Sequence, residues 1–375
     1  MTGPDAPARV LVVNAGSSSL KLALVTPHGT EHARTVDQWE GAGHVEPIGE
    51  FLGSCGQVDA VGHRVVHGGP DGDAALVLDD DAVRRLDALS DLAPLHQPRA
   101  IAGITEVATL LPDVPAVAAF DTGFHRTLSP AARTYALPAA WNERWGLRRY
   151  GFHGLSHAAA ARRGAELVGA RPEDLRIVTC HLGAGASLCA VRDGRSVDTT
   201  MGFTPVDGLV MATRSGSLDP GLVTWLLDHG GVEVAELSEA IEHRSGLRGL
   251  SGTSGDFRDV VAGADRGDAA CQLALDVFVH SLVRHVAAMA AAAGGLDLLV
   301  FTGGIGEHAP RVRAEAGSRL GFLGVAVDEG RNATATGDAD VSAPGAEART
   351  VVVTAREDQE IARLVRATLG SFGAD

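Results

Sequence analysis

The chain has few cysteines, and none is placed for a disulfide or a metal site. Its 375 residues include four, Cys55, Cys180, Cys189 and Cys271, with no C-x-x-C or other short paired spacing. Cysteines scattered in this way, two of them in apolar strand-like segments, are typical of buried free thiols. We therefore expect free thiols and a reducing, cytoplasmic environment.

Positive charge and long apolar runs are also scarce. The formal net charge is −15, which argues against nucleic-acid binding because such proteins neutralise phosphates with basic patches. Met1–Arg9 is polar, and the most apolar later stretch, Val286–Ala293, is far shorter than the roughly 20 residues that cross a bilayer. The composition predicts a soluble protein of two domains, with no signal peptide, membrane span or nucleic-acid partner.

Glycine, by contrast, is abundant, with 47 residues, and it marks a turn in the middle of the chain. The apolar run Leu175–Cys180 is followed by the small-residue segment His181–Ser187 and by a second apolar run, Ser187–Val191. This pattern predicts two strands joined by a tight turn. Such a turn exposes backbone N–H groups that can bind phosphate oxygens without a helix end.

A second hairpin of the same design lies near the start of the chain. Val10–Val13 and Leu20–Val25 are apolar runs, and Asn14–Ser19 between them is a turn of small polar residues. A plain solvated turn is the alternative for one such segment, but its repetition favours phosphate binding. Two copies predict a duplicated α/β fold with a nucleotide between the halves.

Hydrophobic periodicity and capping residues predict the remaining elements. Strands are expected at Val58–Val66, Val114–Phe120, Leu296–Phe301 and Thr350–Thr354. Helices are expected at Asp79–Leu89, Pro98–Leu111, Ser156–Gly169 with Ser156 as N-cap, Asp219–Gly230 with Leu222, Val223, Leu226 and Leu227 buried, Asp268–Ala293, from Pro310 onward, and Glu357–Leu369, the last one packing on the first domain. Glu31–Gln57 shows little pattern, and Gly249–Gly255 and Thr302–His308 are predicted as loops.

Two spacing patterns have alternative interpretations. His63 with His67, and His153 with His157, have the H-x-x-x-H spacing of zinc ligands, but neither pair carries the glutamate of H-E-x-x-H, which argues against zinc. The segment Gly304–Ala309 fits the G-x-G-x-x-A dinucleotide pattern, but no β-α-β unit follows it. We interpret it as a loop that contacts a nucleotide.

Two arginines lie beside apolar residues at the ends of predicted elements. Arg64 lies near the end of the strand before His67, and Arg214 follows the apolar loop around Pro205. Desolvating a guanidinium group costs free energy unless an anion accompanies it. A solvated surface arginine is the usual alternative, but the buried strand and the glycine-rich turns favour anion binding here.

Six motifs together resemble the acetate kinase family, in the superfamily that also contains sugar kinases, heat-shock ATPases and actin. They occur in order over nearly the whole chain, at Asn14–Lys21, Gly62–Gly69, Phe120–His125, Arg149–His157, His181–Gly185 and Phe301–Glu307.

The resemblance implies duplicated ribonuclease H-like (actin-like ATPase) α/β domains with a nucleotide cleft between them. The N-terminal domain would comprise residues 1–123 and 358–375, and the C-terminal nucleotide-binding domain residues 124–357. The implied reaction is reversible, direct in-line transfer of the γ-phosphoryl group of ATP to acetate, giving acetyl phosphate and ADP. The implied enzyme is a cytoplasmic homodimer that uses Mg²⁺, with Mn²⁺ as an alternative ion.

Two alternative functions stay open. A propionate or butyrate kinase is the nearest, because one methylene in an apolar pocket changes binding by only about 1–3 kcal/mol. An ATPase switch of the actin or heat-shock type would share the hairpins. It would need a partner-binding domain, however, and would have no use for Arg64 beside an apolar acyl pocket.

The resemblance also implies roles for individual residues. Catalysis would involve Arg64, Asp121, His153 and Arg214; acetate would contact Arg64, Val66, Leu95, Phe152 and Pro205; and the metal would be held by Asn14 and Glu357. Nucleotide contacts would come from Asn14, Ser17, Ser19, Lys21, His181, Leu182, Gly183, Ala184, Gly185, Asp256, Phe257, Arg258, Gly304, Ile305, Gly306, Glu307 and His308.

In-line phosphoryl transfer depends on positioning and charge neutralisation more than on covalent help. Because acetate is already ionised near pH 7, a proton donor or acceptor at Asp121 is unnecessary, and we expect Asp121 to position an arginine or the metal.

Some positions depart from the usual family pattern. Ala184 and His308 stand where asparagine is usual, Ser217 where aspartate is usual, and Ala355–Asp358 where Thr-Asn-Glu-Glu is usual. Loss of a side-chain donor at Ala184 predicts a phosphate contact weaker by about 1 kcal/mol.

Overall fold

The computed structural model describes residues 7–16, 19–37, 45–70, 72–90, 93 and 96–372. The chain forms two compact units. Unit 1 comprises Met1–Arg126, Phe152–Ala159 and Arg356–Asp375, and unit 2 comprises Thr127–Gly151 and Ala160–Ala355. The domain division at residues 123 and 357 stays a prediction.

Unit 1 is built on a six-stranded mixed sheet with the order β3-β2-β1-β4-β6-β5. Its strands are β1 (Val10–Ala15), β2 (Ser19–Thr26), β3 (Gly29–Asp37), β4 (Ala60–Val65), β5 (Ala75–Val77) and β6 (Ala116–Phe120). The first three form an antiparallel meander, and β1, β4 and β6 run parallel, with Asn14 beside Arg64 and Val65 beside Phe120. The carboxyl ends of β1, β4 and β6 therefore carry their polar side chains to one edge of the sheet.

Unit 2 contains a second six-stranded mixed sheet, with the order β11-β12-β10-β7-β8-β9. Its strands are β7 (Ile177–Leu182), β8 (Ala186–Arg192), β9 (Arg195–Thr199), β10 (Leu298–Thr302), β11 (Ala339–Asp340) and β12 (Arg349–Val352). Again the first three strands form an antiparallel meander, and β7, β10 and β12 run parallel.

The two sheets repeat one topology. In each, a three-stranded meander is followed by two parallel strands and an antiparallel edge strand. This arrangement confirms the predicted fold class, a duplicated ribonuclease H-like α/β fold, and both predicted hairpins, β1–β2 and β7–β8.

Helices connect and cover the strands. They are α1 (Val45–Cys55), α2 (Asp80–Asp87), α3 (Gln97–Leu110), α4 (Pro130–Arg133), α5 (Ala139–Trp145), α6 (Gly154–Leu167), α7 (Pro220–Asp228), α8 (Val234–Glu239), α9 (Gly246–Ser251), α10 (Phe257–Asp265), α11 (Ala269–Ala293), α12 (Gly303–His308), α13 (Pro310–Arg319), α14 (Glu329–Thr334) and α15 (Glu357–Phe372). As predicted, Asp79 caps α2 by accepting a backbone N–H bond, and Asp268 caps α11, which spans nearly the predicted range, in the same way.

Apolar side chains cover both faces of the unit 1 sheet. On one face, Leu11 and Leu22 pack with Phe51 of α1 and Val107 of α3. On the other, alternate residues of β1 pack with Ile361 and its neighbours in α15. The last helix thus packs on the first unit, as predicted from its periodicity.

Helix α11 forms part of the core of unit 2. Among the described residues it alone is long and apolar enough to cross a membrane, but 56% of its most apolar window is buried inside the protein. Its buried residues include Phe278, Leu282 and Val286, and it packs on β7 and β8. The length and apolar composition of α11 therefore reflect its position in the core of unit 2.

All four cysteines are buried free thiols, which confirms the prediction. Burial raises the pKa of the Cys189 thiol to about 12, so this thiol stays protonated and unreactive near neutral pH.

Glu31–Gln57 has more structure than its sequence pattern indicated, because most of β3 and all of α1 lie within it. Nearly every residue of β3 is exposed, so no alternation of apolar and polar residues marks this edge strand.

Two predicted loops contain short helices instead. The segment Gly249–Gly255 overlaps α9, which ends at Gly252 in a left-handed conformation, and Thr302–His308 overlaps α12. Helix α6 begins at Gly154, so Ser156 is not its N-cap. The backbone N–H of Gly154 donates instead to the Asp121 carbonyl at 2.8 Å.

Helix α7 begins at the predicted cap, with Asp219 accepting from the Gly221 N–H at 2.9 Å. The predicted burial of its apolar side is wrong, because none of its residues is buried in this chain. Leu222 is 44% exposed and Trp225 is 54% exposed. An unpartnered apolar helix face is the result.

Candidate active site

The carboxyl end of β4 places Arg64 beside Asp121, the residue that follows β6. The guanidinium group donates from Nε to Asp121 Oδ1 at 3.0 Å and from Nη2 to Oδ2 at 2.6 Å. Side-chain exposure is 16% for Arg64 and 3% for Asp121. A bidentate pair of this kind fixes both position and orientation of the guanidinium group.

Asn14 and Glu357 extend this pair into a four-residue group, the Arg64 network. Arg64 Nη1 donates to Asn14 Oδ1 at 3.0 Å, and Asn14 Nδ2 lies 3.4 Å from Glu357 Oε2. Burial alone would lower the pKa of Arg64, but the carboxylates of Asp121 and Glu357 raise it above its usual value. Three of the five guanidinium N–H donors are engaged, which leaves two for an anion.

The β1–β2 hairpin carries the other predicted contacts of unit 1. Lys21 pairs with Asn14 across the two strands, and Ser19 opens β2. Cross-strand partners project from the same face of a sheet, so Lys21, which is exposed, extends from the face that carries Asn14. Ser17 and Leu95, predicted to contact nucleotide and acetate, lie outside the described residues.

The remaining predicted substrate residues of unit 1 are Val66, Phe152 and His153. Val66 is 8% exposed and Phe152 is 2% exposed, so both are part of the core. His153 itself is half-buried, with a left-handed backbone at φ 56°. That conformation is uncommon for a residue with a side chain and is often found at functional sites.

In unit 2, a cavity of about 630 Å³ lies between the β7–β8 turn and helices α10, α12 and α13. It is lined by Gly183, Ala184, Ala212, Gly255, Asp256, Phe257, Arg258, Val261, Ala262, Asp265, Gly304, Ile305, His308, Ala309, Pro310 and Arg311. Its volume and apolar walls with a few charged groups are typical of small-molecule sites.

Charged groups of this cavity are held in ion pairs. Arg311 Nη1 lies 3.2 Å from Asp265 Oδ1, and Arg258 Nη2 lies 2.6 Å from Asp256 Oδ2. The side-chain hydrogen bond from Arg258 lowers the pKa of Asp256 to about 2. Phe257 contributes an aromatic side chain to the lining of the cavity.

Eight of the predicted nucleotide residues line this cavity: Gly183, Ala184, Asp256, Phe257, Arg258, Gly304, Ile305 and His308. The five other predicted nucleotide residues of unit 2 do not. Leu182 and Gly306 are buried, Glu307 Oε1 accepts from the Ala355 N–H at 3.0 Å, His181 lies in β7 and Gly185 directly precedes β8.

Half of the residues that line the cavity were not predicted from the sequence. Val261 and Asp265 follow Phe257 at intervals of four, the spacing that places residues on one face of a helix. Helical periodicity after the capping residue Asp256 is the signal that predicts them. Ala309, Pro310 and Arg311 follow His308 in the chain and extend the lining beyond the predicted end of the motif.

Arg214 lies in unit 2 with only weak partners. Its Nη1 is 3.4 Å from the Pro205 carbonyl oxygen and 3.8 Å from Met211 Sδ. Among the described residues, no carboxylate oxygen lies within ion-pair distance of its guanidinium group. Burial lowers its pKa, with a smaller opposing effect of Glu242. This half-buried cation therefore has no ion-pair partner among the described residues, and Glu242 compensates its charge only in part.

The predicted metal residues suit Mg²⁺ bound together with a nucleotide. Protein sites for this ion supply one or two carboxylates and leave the other positions to phosphate and water. Glu357 and Asn14 place one carboxylate beside one amide. Elsewhere in the described part of the chain, no group of three or more His, Cys, Asp or Glu side chains is arranged to hold a metal.

Comparison with known families gives one match over most of the chain. The model of the acetokinase family matches residues 49–363. Among curated proteins, acetate kinase of Acetivibrio thermocellus is 40% identical, over 94% of this chain and 97% of that protein. Acetate kinase of Synechococcus is 42% identical, over the same shares of the two chains.

Two solved structures have the same fold over nearly their full length. Acetate kinase of Porphyromonas gingivalis superposes with a TM-score of 0.90 at 34% identity, covering 96% of this chain and 100% of that one. A propionate kinase from Francisella tularensis superposes with a TM-score of 0.86, also at 34% identity, covering 95% and 98%.

Proposed function

Because this chain belongs to the acetokinase family, we propose that it is an acetate kinase. It transfers the γ-phosphoryl group of ATP reversibly to acetate and produces acetyl phosphate and ADP. The observation that carries this proposal is the buried Arg64 network, in which a carboxylate fixes a guanidinium group that still has two free N–H donors.

Arg64 binds the acetate carboxylate. The planar fork matches a carboxylate, and Asp121 holds it in one orientation before substrate arrives. Val66 and Phe152 are apolar side chains of the same unit and contact the methyl group. Pro205 and Leu95 complete the predicted acetate contacts.

Transfer proceeds by direct in-line attack of a carboxylate oxygen on the γ-phosphorus. The carboxylate is ionised near pH 7, so no proton has to be removed from it. Arg214 and His153 neutralise the charge on the transferring group, which is the main contribution a protein makes to this reaction. Asp121 orients Arg64 and transfers no proton.

The cavity of unit 2 binds the nucleoside part of ATP. Phe257 and Ile305 supply apolar surface, and the backbone of Gly183 to Gly185 supplies N–H donors for phosphate. Ser19 and Lys21 of unit 1 are further phosphate contacts, together with the predicted residue Ser17. Mg²⁺, held by Asn14 and Glu357, neutralises phosphate charge when bound.

The enzyme works as a cytoplasmic homodimer. The exposed apolar residues Leu218, Leu222 and Trp225 support this proposal, because a second copy covering them would account for the apolar face of α7. Sedimentation of the purified protein tests it, with Trp225→Glu as the variant expected to give monomers.

A propionate or butyrate kinase is the second candidate function. It is favoured by the propionate kinase structure, which matches this chain at the same identity as the acetate kinase structure. A hydrophobic pocket separates acids that differ by one methylene by only about 10-fold to 200-fold.

Trapping of acyl phosphate with hydroxylamine tests both candidates. Purified protein is supplied with MgATP and with acetate, propionate or butyrate, and hydroxamate is measured over a range of acid concentrations. The highest kcat/KM with acetate supports an acetate kinase, and the highest value with a longer acid supports the second candidate. ATP hydrolysis without hydroxamate from any acid would overturn both.

A further inference from the structure

The backbone at His153 is strained and has to be held by its surroundings. Its φ of 56° is a left-handed conformation that costs about 1 kcal/mol or more for a residue with a Cβ. Without such support, the backbone around His153 would relax to a more favourable conformation and displace the His153 imidazole. The peptide units on either side of His153 are each held by a hydrogen bond.

One of these peptide units is bound by His125. The Nε2 of His125 lies 3.0 Å from the Phe152 carbonyl oxygen. A carbonyl only accepts, so Nε2 carries the proton and donates it. His125 is fully buried, and its ring packs edge-on against His157 with the centroids 5.8 Å apart. The donor is therefore rigidly placed.

The peptide unit after His153 is bound from the same segment. The Gly154 N–H donates to the Asp121 carbonyl at 2.8 Å. A Cβ on Gly154 would overlap that carbonyl oxygen, so only glycine allows the approach. Residues Asp121 and His125 thus clamp the strained residue from both sides.

We propose that His125 is a positioning residue for the reaction, acting through the backbone of Phe152 to hold His153 in its left-handed conformation. The inference rests on the proposed function, in which His153 contacts the transferring phosphoryl group. The Asp121 carboxylate holds Arg64 while the Asp121 carbonyl holds Gly154. One short segment therefore sets the position of both Arg64 and His153.

The test compares two substitutions of similar size. His125→Leu removes the donor, and His125→Gln keeps an N–H that reaches the Phe152 carbonyl. Displacing a group by about 1 Å costs roughly 10²-fold in rate, so we expect kcat of His125→Leu to fall by about that factor. KM for ATP should stay within about two-fold, because the groups proposed to bind ATP lie elsewhere. His125→Gln should recover most of kcat.

Exposed His32 of β3 provides the matched control, and His32→Leu should leave kcat unchanged. If His125→Leu fails to fold, Gly154→Ala applies the same test from the other side of His153, and it should lower kcat without raising KM for ATP. Unchanged kcat in a folded His125→Leu, or equal loss in folded His125→Gln, would overturn the inference. An inactive wild-type protein would instead refute the proposed function.

Discussion

Arg64 and Arg214 are both half-buried, yet the protein treats their charges in opposite ways. Arg64, in unit 1, is bound by the Asp121 carboxylate and by Asn14, and nearby carboxylates raise its pKa. Arg214, in unit 2, contacts one carbonyl oxygen and one sulfur atom, and burial lowers its pKa. From the proposed function we expect Arg64 to be oriented before substrate binds and Arg214 to acquire its counter-charge from the ligand.

The surroundings of the two arginines also differ in polarity. Unit 1 gathers polar groups at the edge of its sheet, where the parallel strands end. Unit 2 provides an apolar cavity whose charged residues, Asp256 with Arg258 and Asp265 with Arg311, are already paired. Preorganised charge orients a small anion, whereas an apolar cavity binds a larger ligand by burying its apolar surface.

Removal of Arg214 should have the largest effect and should separate activity from stability. An arginine that neutralises a transferring phosphoryl group is worth 10³ to 10⁵ in rate, so we expect kcat of Arg214→Ala to fall by about 10⁴-fold. The thermal midpoint should not fall, because no buried carboxylate loses its partner. Exposed Arg195 on β9 serves as the control. A large loss of stability would remove the contrast with Arg64.

Removal of Arg64 should lower both activity and stability. Arg64→Ala leaves the carboxylate of Asp121 buried and unpaired, and breaking a buried pair on one side costs about 3 kcal/mol or more. Urea unfolding measures this loss. The double variant Arg64→Ala/Asp121→Ala should recover part of it while remaining inactive. A stability equal to that of Arg214→Ala would show that the pair is not structurally important.

The elements that the sequence predicted well are those with buried, regularly spaced apolar residues. Both hairpins, α11 and α15 belong to this class, since each has a face in a core. Exposed β3 shows no alternation, and α12 is rich in glycine. Its conformation depends on Arg313, which donates to the carbonyls of Gly306 and Glu307 at 2.8 Å. Such distant support is not visible in a local pattern.

The candidate site shows the same limit. That Arg64 and Asp121 lie at the ends of neighbouring strands follows from the strand pattern, but the bidentate pair across 57 residues does not. Likewise, residues Asp256–Arg258 were predicted from the motif, whereas the Arg311–Asp265 ion pair, which joins residues 46 positions apart, was not. Local sequence indicates which residues are available, and tertiary packing decides which of them meet.

Strands β4 and β10 occupy corresponding positions in the two sheets. A histidine on β4 predicts that the stability of the protein depends on pH through unit 1. Burial lowers the pKa of His63 on β4 to about 3, while β10 has no titratable side chain. His63 therefore binds a proton more weakly in the folded state than in the unfolded state. The free energy of unfolding has its full value above about pH 6.5 and decreases as pH falls towards 3. At pH 5 the loss is about 2 kcal/mol. Urea unfolding at pH 8 and pH 5 should show His63→Leu losing less stability than wild type, and equal losses would contradict the assignment.

The smallest expected effect concerns the two turns. Asn14 and the serines give the first turn polar side chains, whereas Ala184 gives the second a methyl group that lines the unit 2 cavity. Ala184→Asn restores a donor there, and one hydrogen bond to a phosphate is worth about 1 kcal/mol. KM for ATP should therefore fall about five-fold, with KM for acetate unchanged as the internal control. Since the Ala184 side chain is exposed and its carbonyl accepts from the Ala212 N–H at 3.0 Å, the turn can accept the larger side chain. An unchanged KM for ATP would mean that backbone N–H groups alone bind phosphate at the second turn.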